Sequence, residues 1–230
     1  MWMGRPRSPS LEGWLVRQVE SLNIRERWLL LFADMQRQER RKGGPVSCHS
    51  RDTQKRVRYQ CNWIARQSRA IRQYYAKEVT NRFLNPKKAT VLEFGCNDGV
   101  LLRPLADQGI KKVIGVDPSS NVISTIKDPD IITINDFLSE NLAKSIVEKH
   151  GQVDLICANN VFAHINNMHD ITSAIKQLLK PNGVFIFEVH YIGSLIDEVQ
   201  YDMIYHEHIY YYSLITLQKF FANFNLEIFN

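Results

Sequence analysis

Glycines and carboxylates recur along residues 93–118 in a pattern that suits a nucleoside ligand. The loop Glu93-Phe94-Gly95-Cys96-Asn97-Asp98-Gly99 follows Thr90-Val91-Leu92, the start of a predicted buried strand. Glycine lets a loop turn sharply and approach a ligand closely. Asp117 stands 22 residues after Gly95, at the end of a second apolar strand, where its carboxylate can accept hydrogen bonds from both ribose hydroxyls. We predict a cofactor site that includes Glu93, Gly95, Asn97, Asp98, Gly99, Asp117 and Pro118.

The composition of this loop favours S-adenosylmethionine over NAD. Gly95 and Gly99 form a Gly-x-x-x-Gly pattern and lack the Gly-x-Gly-x-x-Gly spacing that seats a pyrophosphate. The Asp98 carboxylate would repel a pyrophosphate, whereas it suits a ligand that carries a sulfonium and an ammonium group. After a third predicted strand, Asp136 can accept from an adenine amino group and Phe137 can lie against the ring.

Histidines and tyrosines follow the fourth and fifth predicted strands, where a substrate pocket is expected. Asn159, Asn160 and His164 follow the fourth strand, and we predict that the two asparagines lie where the pocket meets the cofactor. His190 and Tyr191 follow the fifth, as candidate substrate-binding residues. The run Tyr205-His206-Glu207-His208 comes next. A histidine titrates near neutral pH and can remove a proton, and Glu207 could orient it or take part itself. His206 is expected to pack or hydrogen-bond.

These motifs resemble the sugar C-methyltransferases of bacterial deoxysugar pathways, over about residues 74–230. The Tyr205 to His208 run carries most of the resemblance, together with residues 93–99 and 158–164. The resemblance implies a class I methyltransferase fold, and a substrate that is a nucleotide-linked 4-keto sugar methylated next to its ketone. It implies that His208 is the general base and that Tyr205, Glu207 and His164 hold the keto sugar and stabilise the enolate. No metal is implied.

Departures from that family keep other functions open. The paired cysteines of the family's N-terminal zinc domain are missing, and the chain stops before the family's C-terminal domain. We therefore expect a chain that binds S-adenosylmethionine but is a poor or inactive enzyme alone. An O- or N-methyltransferase acting on another small molecule is the main alternative. A nucleic-acid-binding protein is a remote one.

Apolar strands alternating with helices predict an α/β fold with a doubly wound, mostly parallel sheet. The strands are expected at 90–94, 112–116, 131–134, 153–157 and 184–189, and helices over 64–83, 100–108, 121–126, 138–150, 168–179 and 214–223. Residues 226–229 are expected to begin a sixth strand, and the seventh strand of such sheets is expected to be missing. The fifth strand would then have an unpaired edge.

Charge divides the chain into two parts. Residues 1–89 hold 20 basic and 7 acidic residues, a net charge of +13, and the remainder holds 9 basic and 17 acidic residues, a net charge of −8. We predict a basic extension over 1–60, disordered or partly helical, followed by a C-terminally truncated methyltransferase domain over 61–230. The chain has no apolar run long enough for a membrane span, so a cytoplasmic protein without a membrane partner is expected. The expected partner is a small-molecule substrate, and a nucleic-acid partner is not expected.

Overall fold

The computed structural model describes residues 69–197, 199, 204 and 206–229. The basic extension predicted over 1–60 lies outside these residues, and so does Tyr205. None of the helices among the described residues has the length and apolar character needed to cross a membrane.

A five-stranded parallel sheet forms the centre of the described domain. The strands are β1 (Thr90–Phe94), β2 (Lys112–Val116), β3 (Ile131–Ile134), β4 (Val153–Asn159) and β5 (Leu179–Glu188). Their order is β3-β2-β1-β4-β5, and every neighbouring pair is parallel. The order reverses between β1 and β4, which is where ligands bind on sheets of this kind. The predicted doubly wound α/β fold is confirmed.

Helices connect successive strands and cover both faces of the sheet. α1 is helical over residues 69–83 and precedes β1. The others are α2 (Leu102–Ala106), α3 (Ser120–Ile123), α4 (Glu140–His150), α5 (Met168–Leu178), α6 (Ile192–Asp197) and α7 (Leu214–Ala222). Ser139 caps α4, Asn167 caps α5, and Ser213 caps α7 with a capping box formed with Thr216. These caps satisfy backbone donors at the helix starts and fix where each loop ends.

Two apolar clusters hold the sheet between its layers. One contains Leu92, Ile114 and Ile156 together with α4, α5 and α7, and the other contains Val91, Val113 and Leu155 together with α1 and α2. Adjacent residues of one strand therefore pack into opposite layers. Because the strands are buried on both faces, their sequences are continuous apolar runs. A rigid sheet of this kind fixes the positions of the loops at its carboxyl edge.

The predicted start of the fifth strand at residue 184 is wrong, because β5 begins at Leu179. The Pro181-Asn182-Gly183 segment was expected to precede the strand, but it lies inside β5. There Leu179 pairs with Val153 and Val184 with Leu155, so the extra residues of β5 form a bulge.

The sixth strand predicted over residues 226–229 is wrong. Leu226 and Ile228 pack their side chains against the core, and Phe229 meets Phe83 edge-on at 6.3 Å between ring centroids. A groove of about 300 Å³ between this segment and β5 separates the two backbones. An alternating apolar pattern forms a strand only when a neighbouring strand supplies hydrogen bonds.

Candidate functional site

Loops at the carboxyl ends of β1 to β4 enclose a cleft of about 890 Å³. Both the glycine loop and the loop after β4 contribute, so the cleft lies where the strand order reverses. Most of the predicted cofactor residues line it: Glu93, Gly95, Asn97, Asp98, Asp117, Pro118, Asp136, Phe137, Asn159 and Asn160. Gly99 does not. It is buried at a φ of +77°, and a Cβ there would lie 3.0 Å from Ile126 Cδ1, so its role is to close the turn.

Gly95 allows two loops to touch at the bottom of the cleft. Its φ is +66°, and a Cβ built on it would lie 2.3 Å from Val161 Cγ2, which is an impossible contact. The Gly95 amide donates to Val116 O at 2.8 Å, which holds the loop over the end of β2. Asn97 and Asn160 also have left-handed backbones, with φ of 52° and 53°. Asparagine tolerates this conformation better than most residues, and such strained positions cluster at binding sites.

The Asp117 carboxylate is held firmly by the backbone around it. Oδ2 accepts from the Asn97 amide at 2.9 Å, and Oδ1 accepts from the Ser119 amide at 2.8 Å. Asn135 Nδ2 donates to the Asp117 carbonyl at 2.9 Å. The carboxylate is 6% exposed and keeps further lone pairs for a ligand. This geometry suits a group that accepts hydrogen bonds from two neighbouring hydroxyls.

Phe137 presents its ring to the cleft instead of the core. It is 72% exposed, although a phenylalanine side chain normally gains free energy from burial. The Phe137 backbone amide donates to Asp136 Oδ1 at 2.8 Å, which restrains the Asp136 carboxylate. A flat apolar ring next to a carboxylate offers stacking and a hydrogen-bond acceptor to the same heterocycle.

A segment formed by residues 206–212, here called the histidine segment, docks onto the loop after β4. The Ile209 amide donates to Ala163 O at 3.0 Å, and Tyr210 Oη donates to Asn166 O at 3.3 Å. Tyr212 Oη donates to Phe162 O at 2.9 Å and lies 3.3 Å from Met168 Sδ. Tyr212 also pairs with Tyr191 in a parallel bridge. The segment is therefore attached at the carboxyl ends of both β4 and β5.

Docking brings three predicted histidines together. The His208 ring is 5% exposed, and its centroid lies 5.0 Å from that of His164 and 4.4 Å from that of His190. His164 Nδ1 lies 2.8 Å from the Glu207 carbonyl. A carbonyl can only accept, so Nδ1 carries the proton and Nε2 of neutral His164 is left as an acceptor. His164 also lines the cofactor cleft, so the cluster adjoins it.

Burial, with smaller contributions from His208 and His164, lowers the pKa of His190. His190 Nδ1 is buried and has no hydrogen-bond partner among the described residues, which also disfavours the charged form. His190 is therefore neutral at pH 7. No group of three His, Cys, Asp or Glu side chains in the described part of the chain is placed to hold a metal ion.

Cysteine chemistry has no support at this site. Burial, and then the nearby Glu93 and Asp117 carboxylates, raise the pKa of Cys96 to about 12. Burial likewise raises the pKa of Cys157. Both thiols remain protonated at neutral pH, and a thiol is a poor nucleophile compared with its thiolate.

Some residues of the site were not found from the sequence, and some predicted residues lie elsewhere. Arg72 of α1 and Asp170 of α5 both line the cleft, and neither belongs to a recognisable local motif. His190, Tyr191, Glu207 and His208 do not line the cofactor cleft. They lie in or next to the cluster formed by His164, His190 and His208.

Comparison with known proteins gives the class of the chain. Residues 68–230 match the family model described as a methyltransferase domain, and the chain belongs to this family. A crystal structure of an S-adenosylmethionine-dependent methyltransferase from Archaeoglobus fulgidus shares the fold. Its TM-score is 0.54 at 19% identity, over 68% of this chain and 67% of that one. The predicted class I methyltransferase fold, methyltransferase class and S-adenosylmethionine cofactor are thereby confirmed.

Two curated relatives differ in the atom that their names imply is methylated. C-methyltransferase NovU of Streptomyces niveus is 34% identical over 138 residues, which is 60% of this chain and 33% of that protein. A ubiquinone biosynthesis O-methyltransferase of Pasteurella multocida is 31% identical over 130 residues, 51% of each chain. The chain thus spans about one third to one half of these relatives.

The residues of the cleft fit S-adenosylmethionine. Asp117 is suited to the ribose and Phe137 to the adenine ring. One buried carboxylate oxygen, Glu93 Oε2, has no partner among the described residues and can take a cationic group. When bound, this cofactor supplies an electrophilic methyl group on a sulfonium.

Proposed function

We propose that the chain transfers a methyl group to a carbon next to the ketone of a nucleotide-linked 4-keto sugar. The observation that carries the proposal is the buried His208 ring held between His164 and His190 beside the cofactor cleft. The printed name of the relative NovU, a C-methyltransferase, supports transfer to carbon. The run from Tyr205 to His208 supports a keto sugar through the family resemblance.

The chemistry requires a base and a place for negative charge. A C–H bond next to a carbonyl is acidic because the enolate carries its charge on the carbonyl oxygen. In the proposal, neutral His208 removes that proton. His164 lies beside His208, with its Nδ1–H held by the Glu207 carbonyl, and in the proposal it helps to hold the sugar and stabilise the enolate. Tyr205 and the Glu207 side chain position the sugar.

Deuterium exchange tests the first step apart from methyl transfer. The 230-residue chain is incubated in D₂O with S-adenosylhomocysteine and a nucleotide-linked 4-keto sugar, and NMR follows loss of the hydrogen next to the ketone. We expect slow enzyme-dependent exchange, in keeping with a poor enzyme, that His208→Asn abolishes because the variant lacks a base at that position. His206→Asn is the matched control, since His206 is exposed and is expected to have no catalytic role. Equal exchange by both variants would rule out His208 as the base.

Transfer to oxygen is the second candidate, and the match to the ubiquinone O-methyltransferase favours it. The same histidine cluster could remove a proton from a phenol. The chain is incubated with S-adenosylmethionine and either a nucleotide-linked 4-keto sugar or a catechol. Mass spectrometry and NMR then identify the methylated products. A methylated catechol without any exchange on keto sugars would replace the C-methylation proposal.

A further inference from the structure

His190 contacts the proposed base but has no part in the reaction described above. It follows β5 and does not line the cofactor cleft. Its ring lies against that of His208, with 4.4 Å between centroids and 41° between the ring planes. Its Nδ1 is buried and has no hydrogen-bond partner among the described residues. A buried unpaired nitrogen costs free energy, so its place beside the proposed base indicates a function.

The backbone at His190 is tied to the segment that carries His208. The Tyr212 amide donates to the His190 carbonyl at 3.3 Å, and the Ile192 amide donates to the Tyr212 carbonyl at 2.8 Å. These bonds join the end of β5 to the histidine segment. The contact between the two imidazole rings is therefore part of the folded chain and needs no ligand to form it.

A proton taken up by His208 needs a route to solvent. A general base must lose the proton that it has taken before it can act again. The His208 ring is 5% exposed, so water has little access to it. His164 lies 5.0 Å away between centroids, but its Nδ1 already donates to the Glu207 carbonyl and its ring borders the cleft that the cofactor fills. His190 lies outside that cleft and still contacts His208.

We propose that His190 relays the proton from His208 to solvent. The inference rests on the proposed function, because removal of a proton by His208 is the first step of that reaction. The C–H bond breaks, its electron pair stays on the substrate as the enolate, and His208 becomes an imidazolium. His208 then passes one proton to Nδ1 of neutral His190, and His190 gives the hydrogen on its Nε2 to water. His208 is thereby restored as a base.

The chemistry and position of His190 suit this step. A neutral imidazole accepts at one nitrogen while it donates at the other, and rotation about its Cβ–Cγ bond meets only a broad minimum. His190 as a whole is half-buried, so its ring extends from the buried Nδ1 toward the surface. Burial also lowers the pKa of His190, which favours its return to the neutral form. Exchange of the ring hydrogens with water then restores the starting tautomer.

Exchange of ring hydrogens with water tests the relay without any substrate. The full chain is labelled with ¹⁵N-histidine, and NMR at pH 6 measures how fast the His208 ring hydrogens exchange with water. The signal is identified by its loss in His208→Asn. In His190→Phe an aromatic ring can still pack against His208 but carries no nitrogen, so the exchange should slow about 10-fold or more. His206→Asn is the matched control, because His206 is exposed, and its His208 exchange should equal that of the wild type.

Added imidazole separates a relay from a packing role. His190→Ala leaves a space beside His208, and imidazole in the solvent should restore His208 exchange in proportion to its concentration. Exchange that is slow only because the packing has changed would not respond to imidazole. The second variant also keeps the test informative if His190→Phe does not fold.

The outcomes distinguish the relay from the proposed function. Unchanged His208 exchange in the His190 variants, or slow exchange that imidazole does not restore, would overturn the relay whatever the chain does with keto sugars. Slow, imidazole-restored exchange without any wild-type deuterium exchange next to the ketone would keep the relay and refute proton removal from carbon. If the wild type does exchange deuterium there, His190→Phe should slow that exchange more than it slows single-turnover methyl transfer, because the same hydrogen is then returned to the substrate.

Discussion

The hydroxyl of Tyr212 should contribute measurably to stability, and that of Tyr210 should not. Tyr212 is 5% exposed, and its hydroxyl donates to the buried carbonyl of Phe162 at 2.9 Å. Burial raises the pKa of Tyr212, so the group remains a donor at any ordinary pH. In Tyr212→Phe the ring still packs against Phe162, at 6.0 Å between centroids, while the carbonyl loses its donor. The loss should be about 1–3 kcal/mol, the range for an unsatisfied buried polar group.

Tyr210→Phe is the matched control because it removes the same atom from the same segment. Its hydroxyl donates at 3.3 Å in an exposed bond to Asn166 O, which water can replace. We expect a loss below about 0.5 kcal/mol. Equilibrium unfolding in urea, with equal m-values for both variants, gives the two free energies of unfolding. Equal losses, or no loss in Tyr212→Phe, would show that the hydroxyl does not anchor the histidine segment.

Two further predictions concern carboxylates of the cleft. In Glu93→Gln the group whose pKa is raised on folding is removed, so the free energy of unfolding of the wild type should fall relative to that of the variant. The fall should approach about 1.4 kcal/mol per pH unit between the ordinary pKa of 4.5 and the raised pKa of the folded state, because in that range the folded protein binds more protons than the unfolded one. Unfolding of the ligand-free proteins from pH 4 to 8 measures this difference, and parallel curves would contradict it. Asp117→Asn keeps an acceptor for one backbone amide but loses the charge facing the ribose, so S-adenosylhomocysteine should bind about 10- to 100-fold more weakly by calorimetry. Unchanged affinity would remove Asp117 from the site.

The central strands were predictable because burial on both faces leaves a clear pattern. Thr90–Phe94, Lys112–Val116 and Ile131–Ile134 match the expected bounds. The failures lie where a strand depends on its neighbour. Residues 226–229 have a suitable apolar pattern but pair with no strand among the described residues, and the bulge within β5 depends on its pairing with Val153 and Leu155. Propensity sets the local preference, and pairing decides the outcome.

The site was predictable where it is local in sequence and not where packing assembles it. The glycine loop, Asp117 and Asp136 each follow a strand, so topology alone brings them to one edge. Arg72 reaches the cleft because α1 packs on the sheet, and nothing in its own segment indicates this. Similarly, Glu207 was predicted for its side chain, whereas the contact made with His164 uses its backbone carbonyl.

The histidine segment is attached through main-chain carbonyls and not through the side chains that line the cleft. Its hydrogen bonds to the loop after β4 end on main-chain carbonyls, at Phe162, Ala163 and Asn166 on one side and at Glu207 on the other. Every residue type supplies such a carbonyl. Side chains at positions such as 165 and 166 can therefore change without dismantling the attachment. Substitutions at such positions can therefore change the lining of the cleft while His164 and His208 keep their places.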